Sequence, residues 1–84
     1  FTEKVTADYI RYRLEVAGCK KELFTNGAFA AIRHYSNGIP RLINTICDNS
    51  LFEAFLQKRD LTNEEMIHEV ASDLKLTNPA THPS

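Results

Sequence analysis

The chain has no excess of either charge: 10 basic against 11 acidic residues leave a net charge of −1 over 84 residues. Dedicated nucleic-acid binders show a clear positive excess, so that class is disfavoured. No apolar run approaches the roughly 20 residues that a membrane-spanning helix needs, and no signal peptide is visible. Tryptophan is absent, and the two cysteines, Cys19 and Cys47, form no C-x-x-C or Cys/His spacing, which disfavours a zinc site. Their separation leaves a disulfide open, but two unpatterned cysteines fit a reducing cytoplasm better. No segment alternates with the period of two that marks a strand, and there is no internal repeat or low-complexity block. P-loop, nucleophile-elbow and H-E-x-x-H motifs are missing. The carboxylates are scattered over helix faces and form no acid–base pair. The chain by itself is therefore not expected to be an enzyme.

What is present suits one small helical domain. Hydrophobic residues make up 43% and charged residues 25%, an ordinary globular balance that supports a single core with little margin at this size. The first residue is Phe1 rather than methionine, so a piece of a longer protein is expected.

Four helices are expected. The first starts after Thr2, a good N-cap, and runs to about Ala17 before Gly18. Val5, Ile10, Leu14 and Ala17 lie near one face, with Tyr9 beside it. Arg11 and Arg13 are read as ordinary solvated arginines rather than phosphate contacts. After a loop over Cys19–Leu23, the second helix follows Thr25, with Phe24 and Phe29 at the spacing of a hydrophobic staple. Ala28, Ile32 and Tyr35 continue its apolar face, and Gly27 weakens its first turn. His34, near its end, is read as structural. The third helix runs from Pro40 to about Lys58. Leu42, Ile43, Ile46, Cys47, Leu51, Ala54 and Phe55, extended by Phe52 and Leu56, give it a wide apolar band, so it is expected to be the central helix. Cys47, on that band, is expected to be a buried free thiol. The fourth helix is announced by a capping box of Thr62 with Glu65 and a staple of Leu61 with Met66. Met66, Ile67, Val70, Ala71 and Leu74 form its apolar face, and His68 is expected to be exposed. Residues 1–76 would be the domain, and 77–84, with two prolines, a disordered tail or linker.

The stretch Tyr35-Ser36-Asn37-Gly38-Ile39-Pro40-Arg41-Leu42-Ile43-Asn44 organises the rest. Gly38 suits a helix end, where left-handed geometry costs it little. Pro40 suits the first position of the next helix, and Ile39, preceding it, is pushed out of the α region. Arg41 then falls in a first turn, where the helix dipole already supplies positive charge. Two positive features facing one way suit an anion such as phosphate. The plainer alternative is that Arg41 points into water or pairs with Asp8 or Glu53. Asn44 and Asp48, one turn apart on the less apolar side, would orient Arg41, meet a partner or be solvated.

Together with Cys47-Asp48, Tyr9-Ile10-Arg11-Tyr12-Arg13-Leu14, Val16-Ala17-Gly18 and Leu23-Phe24-Thr25, this turn resembles the sensor-2 region and helical lid of AAA+ ATPases. More narrowly it resembles the general secretion pathway protein A and exosortase-associated secretion ATPases. The likeness covers about residues 1–75 and is most specific at the Gly-Ile-Pro-Arg turn and Asn44. It implies an all-α, four-helix lid that follows a nucleotide-binding core in the same chain, with ATP in the cleft between them. Arg41 would reach the γ-phosphate, Gly38, Ile39 and Pro40 would set the helix start that aims it, and Asn44 would support that geometry. The cofactor implied is ATP or ADP with magnesium, bound by the full-length protein and not tightly by this fragment. The partners implied are the upstream core, further copies of the parent, and secretion or envelope machinery, with no direct nucleic acid. The setting implied is cytoplasmic, at an inner membrane through a later segment. Rival readings are a lid from a transposition or replication ATPase, which shares the Gly-x-Pro-Arg turn, and a stand-alone helical protein-interaction module. An independent helix-turn-helix DNA binder is disfavoured by the net charge and by the apolar third helix.

Overall fold

A computed structural model describes residues 1–76 as four helices. They are α1 (Glu3–Val16), α2 (Asn26–Ser36), α3 (Pro40–Leu56) and α4 (Glu64–Asp73). The expected tail, 77–84, lies outside the described residues.

Local chemistry sets the helix ends. Thr2 Oγ1 accepts from Val5 N at 3.1 Å and starts α1. Thr25 Oγ1 accepts from Ala28 N at 3.1 Å and starts α2. The staple above α2 forms, with the Phe24 and Phe29 rings 5.7 Å apart. Helix α1 stops where Gly18 turns left-handed. Cys19 N then donates to Leu14 O and Gly18 N to Glu15 O, each at 2.9 Å. The ends of α3 and α4 repeat that pattern with Lys58 and Lys75 in the left-handed position.

The start of α4 differs from expectation. Asn63, not Thr62, is the N-cap, its Oδ1 accepting from Met66 N at 3.0 Å. Thr62 is drawn instead into an isolated parallel bridge with Phe24. Thr25 N donates to Thr62 O at 3.0 Å and Thr62 N to Leu23 O at 2.8 Å. This pairing ties the α1–α2 loop to the α3–α4 loop and buries the Thr62 side chain, whose hydroxyl finds no partner. The capping box and the Leu61–Met66 staple therefore lose their register by one residue, and Leu61 is exposed.

The core gathers Ile10, Phe24, Ala28, Phe29, Ile32, Ile43, Ile46, Cys47 and Ile67. Helix α3 meets the other three helices, but α2 packs more extensively, above all against α4. Small residues allow this: Ala28 and Ala31 are buried, and Gly27 leaves room for Glu64, which a Cβ there would approach to 3.1 Å. The wide band on α3 is buried only in part. Phe52 and Phe55 are 61% and 75% exposed, and Leu56 is also exposed. Helix α1 turns Thr6, Ala7 and Ile10 inward, while Val5 and Ala17 face out. Both cysteines are free, Cys47 buried and Cys19 half-buried.

Candidate functional site

The α2–α3 turn is built by three backbone choices. Asn37 and Gly38 both adopt left-handed geometry, with φ of 55° and 74°. Ile39 is extended at φ −87° and ψ 117°, as a residue before proline should be, and Pro40 occupies the first turn of α3. Ser36 fastens the turn from below. Its buried Oγ donates to Arg33 O at 3.4 Å and accepts from Gly38 N at 3.1 Å. Ile39 N donates to Ser36 O at 3.0 Å.

The N-terminus of α3 thereby opens outward with no side-chain cap and no acidic residue in its first turn. The positive end of the helix dipole is left uncompensated. Arg41 stands in that turn, exposed. Among the described residues its guanidinium makes no ion pair and no hydrogen bond, and neither Asp8 nor Glu53 reaches it. Other arginines are engaged: Arg11 pairs with Glu22 at 3.3 Å and Asp8 at 3.9 Å, and Arg13 stands 3.9 Å from Asp48. Arg33 Nε donates to the Phe1 carbonyl. Only Arg59 shares with Arg41 the lack of such a partner among the described residues. A permanently charged fork beside unpaired amide donors suits a phosphate, which accepts from both.

Asn44 makes no hydrogen bond to Arg41 among the described residues. Its Oδ1 accepts from the Tyr9 hydroxyl at 2.9 Å, joining α1 to α3 one turn below the site. The Tyr9 and Phe1 rings in turn meet in a T-shaped pair, with centroids 5.4 Å apart. Ser36, Arg33, Phe1 and Tyr9 are thus the turn's supports, and sequence patterning assigned none of them that task. The Ser36-Asn37-Gly38 run, a hydroxyl two residues before a glycine, was the available signal. Away from this turn, His68 joins α2 and α4. Its Nδ1 hydrogen-bonds the Tyr35 hydroxyl, and its Nε2 lies 3.2 Å from Glu64 Oε2.

Burial pushes the Cys47 thiol up to about 12, with Arg13 nearby lowering it and Asp48 raising it. That cysteine is packing, not a nucleophile.

Comparison with known proteins gives one informative stretch. Over 47 residues, 56% of its length, the chain is 53% identical to general secretion pathway protein A of Aeromonas hydrophila. The chain spans 9% of that protein's length. No family model matches the chain, and no solved structure does. Among the described residues no helix is long and apolar enough to cross a membrane.

Proposed function

We propose that this chain is the nucleotide-sensing lid of a secretion-associated AAA+ ATPase, with Arg41 contacting the γ-phosphate of ATP held by the core of the same polypeptide. The observation that carries the reading is Arg41 itself: an exposed guanidinium, unpaired among the described residues, in the first turn of a helix that has no side-chain cap and no acidic residue in that turn. The secretion assignment rests on the likeness to general secretion pathway protein A over 47 residues.

The residues present fit a nucleotide's phosphates. Arg41 supplies a positive charge and a planar donor set. The free amides of α3 supply the dipole end. Gly38, Ile39 and Pro40 fix where that helix starts, and Asn44 holds α3 to α1 through Tyr9. ATP with magnesium, when bound by the parent's core, would supply a γ-phosphate for transfer to water, and Arg41 and the free amides of α3 are the groups of this chain that would face it. Arg41 holds the lid against that phosphate and releases it when the phosphate leaves, so the four helices swing as a unit. The parent works at the cytoplasmic face of an inner membrane, as an oligomer, beside secretion or envelope machinery. The exposed Phe52, Phe55 and Leu56 give the domain an apolar face for a neighbour, which supports its being one part of a larger assembly.

In the full-length protein, Arg41→Ala is expected to slow ATP hydrolysis tenfold or more, equivalent to about 1.4 kcal/mol of transition-state stabilisation, while ADP binding holds. Unchanged hydrolysis with the fold intact would return the turn to a purely architectural role. A DNA-binding module downstream, in place of a transmembrane helix, would move the parent to the transposition or replication branch.

A further inference from the structure

We propose that Arg33 is a positioning residue: it clamps the backbone at Phe1 onto the Gly38 turn, so that the segment leading into α1 and the turn that aims Arg41 move as one body. The proposal deepens the reading of Arg41 as a nucleotide sensor and rests on that reading for its functional arm.

The clamp is built from opposed bonds between two short segments. Arg33, in the last turn of α2, donates from Nε to the Phe1 carbonyl. The N-terminal ammonium of Phe1 donates to the Gly38 carbonyl at 3.1 Å, and in a longer polypeptide the Phe1 amide has one N–H to offer the same carbonyl. The approach is close enough to require glycine. A Cβ on Gly38 would stand 2.6 Å from Phe1 O, 2.7 Å from Phe1 N and 3.3 Å from Arg33 Nε. Arg33 holds the turn from its other end as well, since its carbonyl accepts from Ser36 Oγ, which accepts from Gly38 N. The Phe1 ring rests on Tyr9, and Tyr9 is bonded to Asn44 on α3.

Phe1 is thus gripped from α1, from α2 and from the turn, and through Tyr9 from α3. A pull on the Phe1 backbone bears directly on Gly38, and Pro40 and Arg41 follow within three residues. A charged donor on a carbonyl is a stronger tie than a neutral one. The bond also places a cation at the C-terminal end of α2, where the helix dipole favours it.

Amide hydrogen exchange on the 84-residue chain tests the clamp. Arg33→Ala is expected to speed exchange at Thr6, Gly38 and Ile39 tenfold or more while the α4 amides keep their rates. Arg33→Lys, whose ammonium can still donate to the carbonyl, restores part of the protection. Gly38→Ala, whose Cβ would clash with the Phe1 backbone and crowd Arg33 Nε while leaving the guanidinium in place, reproduces the loss. Unchanged exchange at Thr6, Gly38 and Ile39 overturns the clamp. Acceleration spread equally through α4 also overturns it, because Arg33 would then be contributing only to overall stability.

The functional arm is the ratio of ATP to ADP affinity in the full-length protein. Arg33→Ala is expected to lower that ratio several-fold with ADP affinity unchanged. If Arg41→Ala lowers the ratio and Arg33→Ala does not, the coupling is refuted and the sensor reading stands. If Arg41→Ala leaves the ratio intact, the sensor reading fails and the exchange result alone decides the clamp.

Discussion

Arg41 is notable for what does not touch it. Most arginines of a small domain find a carboxylate or a carbonyl, as Arg11, Arg13 and Arg33 do here. The oddity of a cation in a first turn was legible in the sequence. Its isolation was not, because pairing with Asp8 or Glu53 was equally compatible with the pattern. Asn44 shows the converse. Its place on α3 was readable, but its partner, Tyr9, lies 35 positions away in the chain, and only packing brings the two together. Two residue-scale predictions follow from burial. Thr6 is buried in α1, and its hydroxyl has no partner among the described residues. Thr6→Val is therefore expected to raise stability by about 1 kcal/mol, read from urea denaturation midpoints. Cys47 titrates in the folded chain near 12 instead of the usual 9.0 because burial disfavours its thiolate. A raised value means that the folded state holds its proton longer than the unfolded chain does. The stability this contributes is full below pH 9.0 and drains away as pH rises from there towards about 12. Removing the thiol with Cys47→Ala should flatten that part of the stability–pH curve. An unaltered alkaline slope would place its origin in another group.

Among the elements, α1 and α2 show how far capping chemistry reaches. Thr2 and Thr25 cap where their sequence context says they should, and the Phe24–Phe29 staple forms. Helix α4 shows where such reasoning stops. Thr62 and Glu65 have the spacing of a capping box, but Thr62 is taken by the bridge to Phe24, a pairing between loops distant in sequence. Asn63 is a good cap in its own right and takes over one residue later. The two registers make opposite predictions in thermal or urea unfolding. Asn63→Ala should cost about 1 kcal/mol. Thr62→Val keeps the backbone bridge and removes a buried unpaired hydroxyl, so it should be neutral or stabilising. Were Thr62→Val the more damaging of the two, the cap would belong at Thr62. The exposed end of α3 is a related lesson. Periodicity shows that Phe52, Phe55 and Leu56 share a helix face, but not which apolar face of α3 the bundle covers. The stripe that the bundle covers, Ile43, Cys47, Ser50 and Ala54, runs down the other side of α3 almost to its end, so Phe52, Phe55 and Leu56 face away from the core.

For the whole molecule, an all-α architecture of four helices followed from periodicity, caps and the absence of strand patterning. The choice of hub did not. Hydrophobicity favoured α3, but the tight packing of α2 against α4 depends on small residues such as Ala28 and Gly27, which carry little hydrophobic signal. The assembled domain presents an open start of α3 whose arginine is unpaired among the described residues, and its supports reach it from three helices. The claim that matters most is that this arginine reads the γ-phosphate. Calorimetric titration of ATP and ADP into the full-length protein, wild type beside Arg41→Ala, tests it most directly. The account predicts that the substitution weakens ATP binding tenfold or more and leaves ADP binding within twofold. Equal losses for both nucleotides, or no loss for either, would contradict it.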